Sequence, residues 1–417
     1  MSKRVSLTLL LLTISLFVVG AVALLLFFGA VALGKGVSTY SREAVREQII
    51  KQGPPPVVHI NTPPFVRAIY MSQCAAATDS FRRDLVSLIE DTELNAIIID
   101  IKDFTGTVSF PRGKEVEDLG GSGCTVPDMK EFINTLHNKG IYVIGRITVF
   151  QDPLYTSAYP EQAVQSKSKG MPWKDYKGLS FVDVGAKPFW DYIVDIARES
   201  HAIGFDELNF DYIRYPSDGP MSDVQFNYSN YDQRAIELEK FFQYLSSKVR
   251  KADKNGHVPT LSADLFGMTT TNYDDLTIGQ VLERATPYFD YIAPMTYPSH
   301  YPPGFNGYAN PNENVYGVVK YSADRAVERV ESATTTIPAL AYVPVSTSTS
   351  HVYRKPARDR NILRLWLQDF DYGGDYGPVE VRAQIQALYD SGLHSWMLWA
   401  PSNRYTKSAL EPAERSQ

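Results

Sequence analysis

The chain has 417 residues, 44% of them hydrophobic and 21% charged, an ordinary globular composition with enough length for a large core. Its formal net charge of -6 and the lack of any concentrated basic stretch exclude a nucleic-acid binder, which needs clustered Lys and Arg against phosphates. Aromatic residues reach 12%, which suits stacking on apolar sugar faces and suits a bulky core equally well.

Lys3 and Arg4 precede a run from Ser6 to Gly34 without one charged residue. A secretory h-region takes about 7 to 15 residues and a spanning helix about 20, so the run predicts an uncleaved membrane anchor over 1–34. Basic residues on its N-terminal side alone favour that end in the cytoplasm and the remainder outside. A long signal peptide cleaved near Gly34 is the alternative. Residues 35–64 predict a Pro-rich stalk, because the prolines of GPPPVVHINTPP fix the backbone and remove donors. A folded domain is expected over 65–406, with a tail over 407–417.

From Phe65 onward, short apolar runs alternate with stretches of helical periodicity. The strand candidates are VRAIYM (66–71), NAIIIDI (95–101), IYVIGRIT (141–148), ELNFDYI (207–213), TLSADLFG (260–267), YIAPMTY (291–297), LRLWLQDF (363–370) and SWMLWAP (395–401). Between them apolar residues recur at three and four spacing, as in Phe81, Leu85, Leu88 and Ile89, and several such stretches end in Gly stop signals at HNKG, KNG and DSG. Near-continuous apolar strands alternating with helices predict an α/β fold, a (β/α)8 TIM barrel, with a doubly wound open sheet as the alternative. The open sheet lacks the Gly-rich phosphate turn after its first strand. Residues 150–187 form a long aromatic loop, 331–361 predict an extra hairpin around IPALAYVPV, and too little chain follows the eighth strand for a last helix.

Cys74 and Cys124 are the only cysteines; one disulfide and two buried thiols both fit. No CxxC pattern or close His spacing points to zinc, so neither metal nor organic cofactor is expected.

In a barrel the C-terminal strand ends build the active site. Those ends carry Tyr70, Asp100, Lys102, Asp103, Arg146, Asp211, Arg214, Tyr215, Asp264, Tyr297, His300, Trp366, Gln368 and Trp399. Asp211 interrupts an otherwise buried strand, and Asp264 ends the neighbouring one. Two carboxylates flanking a bond, with aromatic platforms around them, are the minimum equipment for glycoside hydrolysis. The structural reading pairs Asp211 with Arg214 or Arg146 and makes Asp264 a loop cap.

The segments FDELNFDYIRYP, SADLFG, YIAPMTYPSHY, WLQDF, VRAQIQALYDSG and WMLWAPSNRY together resemble the "putative glycosyl hydrolase domain" family, a bacterial group in the TIM-barrel glycosidase superfamily, over about residues 65–406. The resemblance implies the barrel and glycosidase chemistry. In the similar α-amylase-like barrels an aspartate ending the fourth strand is the nucleophile and a glutamate ending the fifth is the acid/base; by position these are Asp211 and Asp264, the latter shorter than a glutamate. The chain is also similar to chitinases of the DxxDxDxE type at Met295-Thr296-Tyr297, but Ile213 stands where their acid must be, so that likeness implies architecture and not their mechanism.

The expectation is thus a membrane-anchored, extracytoplasmic glycoside hydrolase acting on a polysaccharide or envelope glycoconjugate. Asp211 and Asp264 are its catalytic pair, and Arg214 keeps Asp211 ionised. Asp100, Lys102, Asp103, Arg146, Arg214, Tyr215, Tyr297, His300, Trp366, Gln368 and Trp399 are the candidate substrate contacts. The alternative is a non-catalytic carbohydrate-binding barrel at the cell surface. A deacetylase is a weaker third reading, because no metal-ligand cluster is evident.

Overall fold

The computed structural model describes residues 57–113, 118–253, 256–336, 339 and 352–413. The expected anchor and most of the expected stalk lie outside the described residues; among those described, no helix is long and apolar enough to cross a membrane.

Among the described residues eight parallel strands close a barrel in chain order: β1 (Arg67–Met71), β2 (Ala96–Lys102), β3 (Tyr142–Thr148), β4 (Glu207–Asp211), β5 (Thr260–Phe266), β6 (Tyr291–Met295), β7 (Leu365–Gln368) and β8 (Trp396–Trp399). Each of the eight apolar runs is a strand. Their near-continuous apolar character has a direct cause, because both faces are covered: on β2, Ile97, Ile99 and Ile101 pack outward with the helices while Ala96 and Ile98 fill the barrel interior. The fourth strand stops at Asp211, two residues earlier than its pattern suggests, because Tyr212 takes a left-handed backbone with φ of 51° and turns the chain.

The outer layer consists of α1 (Asp79–Asp91), α2 (Met129–His137), α3 (Lys187–Ile203), α4 (Arg234–Val249), the single turn α5 (Leu282–Ala285), α6 (Val315–Glu331) and α7 (Pro378–Tyr389). Helix α1 buries Leu85, Leu88 and Ile89, the stripe its spacing predicts. Gly140 and Gly392, which end the HNKG and DSG signals, both sit at φ of 72°, the left-handed position that closes a helix. After β8, among the described residues, only a short 3₁₀ turn, Lys407–Ala409, forms. The chain then runs back across the end of α1, where Glu93 N donates to Glu411 O at 2.8 Å.

Two elaborations sit on this frame. The aromatic loop after β3 pairs Gln165–Ser166 antiparallel with Val224–Gln225 of the β4–α4 connection, closing a small core of Val164, Trp173, Phe181 and Val224. After α6, Thr334–Thr336 pairs antiparallel with Val352–Arg354; apart from Ala339, the IPALAYVPV segment itself lies outside the described residues.

The barrel interior is polar at its N-terminal end as well. Arg364 Nη1 donates to Glu207 Oε2 at 2.7 Å, Tyr142 adds a hydrogen bond to the same oxygen at 3.1 Å, and the guanidinium lies 3.3 Å over the Tyr291 ring. This buried pair plugs the floor, and its two charges stay buried because each is met by the other and by a tyrosine.

Cys74 and Cys124 form a disulfide, with Cα atoms 5.0 Å apart across 50 residues, tying the β1–α1 connection to the β2–α2 connection. Replacing both by Ser should lower stability by about 2–5 kcal/mol, read from urea unfolding followed by Trp fluorescence. An unchanged midpoint would mean that the bridge constrains nothing that unfolding releases.

Candidate active site

Side chains alternate along a strand, so residues two apart share a face. On β3 the inward set is Tyr142, Ile144 and Arg146; on β4 it is Glu207, Asn209 and Asp211, with Arg146 in register with Asn209 and with Asp100 of β2. Asn209 is in turn in register with Ser262, which puts Asp264 inward one step higher on β5. The C-terminal end of the barrel therefore brings Arg146, Asp211, Asp264, Trp366 and Trp399 together around a cavity of about 350 Å³.

Arg146 is the hub. Its Nε and Nη2 donate to Asp211 Oδ2 at 3.1 and 2.5 Å, and its Nη1 donates to Asp100 Oδ1 at 2.7 Å. Asp264 Oδ2 lies 3.9 Å from the same Nε. The two candidate catalytic carboxyls thus flank a single nitrogen, which holds them closer together than the roughly 9.5 Å upper limit for glycosidase pairs. The guanidinium also lies 5.1 Å over the Trp399 ring, which stacks on Tyr70 with centroids 4.0 Å apart.

The two carboxylates have different surroundings. Asp211 Oδ1 accepts from Tyr212 N at 2.6 Å while Oδ2 holds the arginine. Asp264 is only 1% exposed, and its Oδ1 accepts from Asn209 Nδ2 and Trp366 Nε1, both at 2.8 Å. Burial, reinforced by the nearby Asp211 charge, pushes the Asp264 carboxyl well above the ordinary carboxylate range, and Arg146, Asn209 and Trp366 only partly offset that. Burial also raises Asp100, whose Oδ2 accepts from Tyr70 OH at 2.5 Å. Burial and then the Asp264 and Asp211 charges hold the Tyr297 hydroxyl well above its usual value, so it stays a neutral donor. Despite burial, Asp211 and Asp100 raise Arg146, which stays a fixed cation.

Of the sequence candidates, Arg146, Asp211, Arg214, Asp264, Tyr297, His300, Trp366 and Trp399 line the cavity. Asp100 stands behind Arg146 and positions it. The remaining candidates are placed elsewhere. Lys102 would share the inward face with Asp100 in a regular strand, but the register slips between them, so Lys102 opposes Ile147 and turns outward. There its Nζ pairs with Asp152 Oδ2 at 2.8 Å. Asp103 caps its own turn, accepting from Thr105 N at 2.9 Å and from Gln73 Nε2 at 2.8 Å. Tyr215 is fully buried against Phe226 and Tyr231, below the turn that Tyr212 makes. Gln368 braces a loop, its Oε1 accepting from Ser299 Oγ at 2.9 Å. Arg214 faces the cavity but does not pair with Asp211 as expected: it donates to Tyr215 O and Ser217 Oγ and lies over Phe266 at 4.8 Å.

The cavity also uses Tyr212, Phe266, Met268 and Tyr301, which nothing in the pattern singled out, and Met295, which entered only through the Met295-Thr296-Tyr297 likeness. Asn209 is a further omission with a visible signal: it is a polar residue two before Asp211 on the same strand face, and it holds Asp264.

Residues 68–405 match the family described as "putative glycosyl hydrolase domain". The chain belongs to that family. Among solved structures, this glycosyl hydrolase-like domain is similar to the PgaB (BpsB) glycoside hydrolase domain from Bordetella bronchiseptica, at 14% identity and TM-score 0.55 over 85% of this chain and 100% of that one. It is similar to the β-galactosidase from the psychrophilic Marinomonas ef1 at 9% identity and TM-score 0.52, over 82% of this chain and 58% of the other. A hypothetical protein from Ruminiclostridium thermocellum is 30% identical over 47% of this chain and 96% of its own, with TM-score 0.39. The first two likenesses show the barrel fold. No curated protein matches the chain.

Removing Arg146 leaves three buried carboxyls without their cation. Arg146→Met should therefore cost about 3–5 kcal/mol at neutral pH. Without the arginine the Asp100 and Asp264 carboxyls, already raised by burial, rise further, so the deficit should be largest at neutral pH and shrink as acid protonates them. Urea unfolding of parent and variant across the acid-to-neutral range tests this; a deficit independent of pH would contradict it.

Proposed function

We propose that this family member is a glycoside hydrolase that cleaves a polysaccharide or envelope glycoconjugate through Asp211 and Asp264. The observation that carries the reading is the shared arginine: one carboxyl is locked to Arg146 by two donors, and the other, beyond hydrogen-bond reach of that arginine, is driven toward its protonated form by burial. This split is what a general acid beside an ionised carboxylate requires. Two N–H groups occupy Asp264 Oδ1, which puts the acid proton on Oδ2. From there it passes to the glycosidic oxygen as the bond to the anomeric carbon breaks. Asp211 then either attacks that carbon or takes a proton from the water that does. Trp399, Trp366 and Tyr297 supply the apolar and donor wall on which a sugar ring stacks and hydrogen-bonds.

The same reading places the domain outside the cytoplasm, tethered by the apolar segment over 1–34. The Cys74–Cys124 disulfide supports this, since such bridges persist in oxidising compartments.

Hydrolysis of a panel of bacterial envelope and exopolysaccharides by the parent should fall by about 10²–10⁴-fold in Asp264→Asn, and Asp211→Asn should be comparably impaired. Because the protonated Asp264 is the active form, the parent rate should decline as pH rises through its elevated pKa, and Asp264→Asn should lose that alkaline limb. Since Asn preserves the Oδ1 contacts and never has to be buried as an anion, the same variant should match or exceed the parent's stability at neutral pH, with the difference growing from acid upward. Glycan binding retained in all three proteins, with no cleavage of any substrate, would instead indicate a carbohydrate-binding barrel.

A further inference from the structure

The N-terminal end of the barrel holds a second polar cluster that the proposed chemistry does not use. Four of the seven histidines, His59, His137, His201 and His257, gather there with Asp206 and Asp253. They come from separate parts of the chain: His59 from the segment before β1, His201 from the last turn of α3, and Asp253 and His257 from the α4–β5 connection. His59 stacks on His201 with ring centroids 4.1 Å apart, and His257 meets His59 edge-on at 5.3 Å.

The hydrogen-bond pattern points to a ligand. His201 Nδ1 lies 3.2 Å from the Phe205 carbonyl, and His59 Nδ1 faces Asp206 Oδ1 at 3.6 Å, an ion-pair approach too long for a hydrogen bond. A carbonyl or carboxylate on one ring nitrogen is the usual second partner of a metal-bound imidazole, because it fixes the tautomer and leaves the other nitrogen's lone pair free. That other nitrogen, Nε2, is buried in both residues; in His201 it faces the His257 backbone, and in His59 it has no hydrogen-bond partner among the described residues. The His59 and His201 side chains are enclosed, and leaving the buried His59 nitrogens unsatisfied costs free energy. One donor atom each from His59, His201 and Asp253 lie within 4.8 Å of one another, with Asp253 Oδ2 4.0 Å from His59 Nε2. His257 Nδ1 is 3.6 Å from the same carboxylate oxygen and half-exposed at the cluster's edge.

We propose that His59, His201 and Asp253 bind a zinc-type divalent cation, with His257 completing the set from the solvent side. Two or three imidazoles and one carboxylate are a donor set that zinc takes in tetrahedral geometry at about 2.0–2.2 Å. Closing to that distance draws the donors together and turns the His59 ring out of its stack, since in-plane lone pairs of parallel rings do not converge. The pivot is the short segment carrying His59, anchored by Ile60 N donating to Asp206 Oδ1 at 2.8 Å. A cation here clamps the chain's entry into the barrel onto α3 and the α4–β5 connection, remote from the proposed catalytic pair. Close His spacing in sequence is no guide to this set, because its members stand at 59, 201, 253 and 257.

The test uses the full-length chain in mild detergent, stripped with EDTA, dialysed, and titrated with zinc chloride by calorimetry. Cobalt(II) absorption serves as a second probe of tetrahedral coordination. One zinc per chain is expected, with a rise in the unfolding midpoint. His59→Ala, His201→Ala and Asp253→Asn should each weaken binding by at least the roughly 10- to 100-fold that loss of even an outer partner costs. His394→Ala, an exposed histidine outside the cluster, should bind as the parent does. Circular dichroism of the stripped proteins identifies any variant that fails to fold, and Asp253→Asn, nearly isosteric, then decides. Absence of stoichiometric zinc binding by the parent, or binding equally tight in the folded ligand variants, overturns the site.

Discussion

A single guanidinium organises the upper end of this barrel. Arg146 joins β2 to β4 through Asp100 and Asp211 and stands 3.9 Å from Asp264 on β5, so three of the eight strands present carboxyls to one cation. With three acids around one positive charge, burial raises both Asp100 and Asp264. The three differ in how closely the arginine holds them. Asp211 has two of its donors, Asp100 has one, and Asp264 has none within hydrogen-bond distance. The least served carboxyl is also the most deeply buried of the proposed catalytic pair, and its pKa rises accordingly.

The same principle, a buried charge tolerated only where it is fully met, recurs along the barrel axis. At the floor, Glu207 and Arg364 satisfy each other with help from Tyr142 and Tyr291. Outside the strands, Lys102 and Asp152 form an equally buried pair beneath the helices. These pairs carry little net stability against apolar packing, but breaking either one would strand a charge. The proposed catalytic site differs in being deliberately unbalanced, with more acids than cations and an open cavity beside them.

Much of this was legible in the sequence. The eight strands could be read because each is buried on both faces and so appears as an apolar run, and the helices because each buries one stripe. Asp211 was visible because a carboxylate near the end of such a run has to be compensated by a partner or used in chemistry. Asp264 followed from lying at the end of the adjacent strand. What misled was local geometry that composition does not encode. One slipped residue after Asp100 sends Lys102 to the opposite face, and one left-handed residue, Tyr212, drops Tyr215 into the core and swings Arg214 away from Asp211.

By itself, then, the amino-acid sequence determined the alternating barrel architecture and the presence of two acids at neighbouring strand ends, since both depend on periodicities of a few residues. Only the tertiary structure decided which arginine holds Asp211, which carboxyl burial pushes well above the ordinary range, and that histidines from 59, 201 and 257 meet at the barrel floor. Those outcomes depend on distances between groups tens to hundreds of residues apart. Such distances are set by strand register and by the closing of the sheet on itself, which no local pattern records.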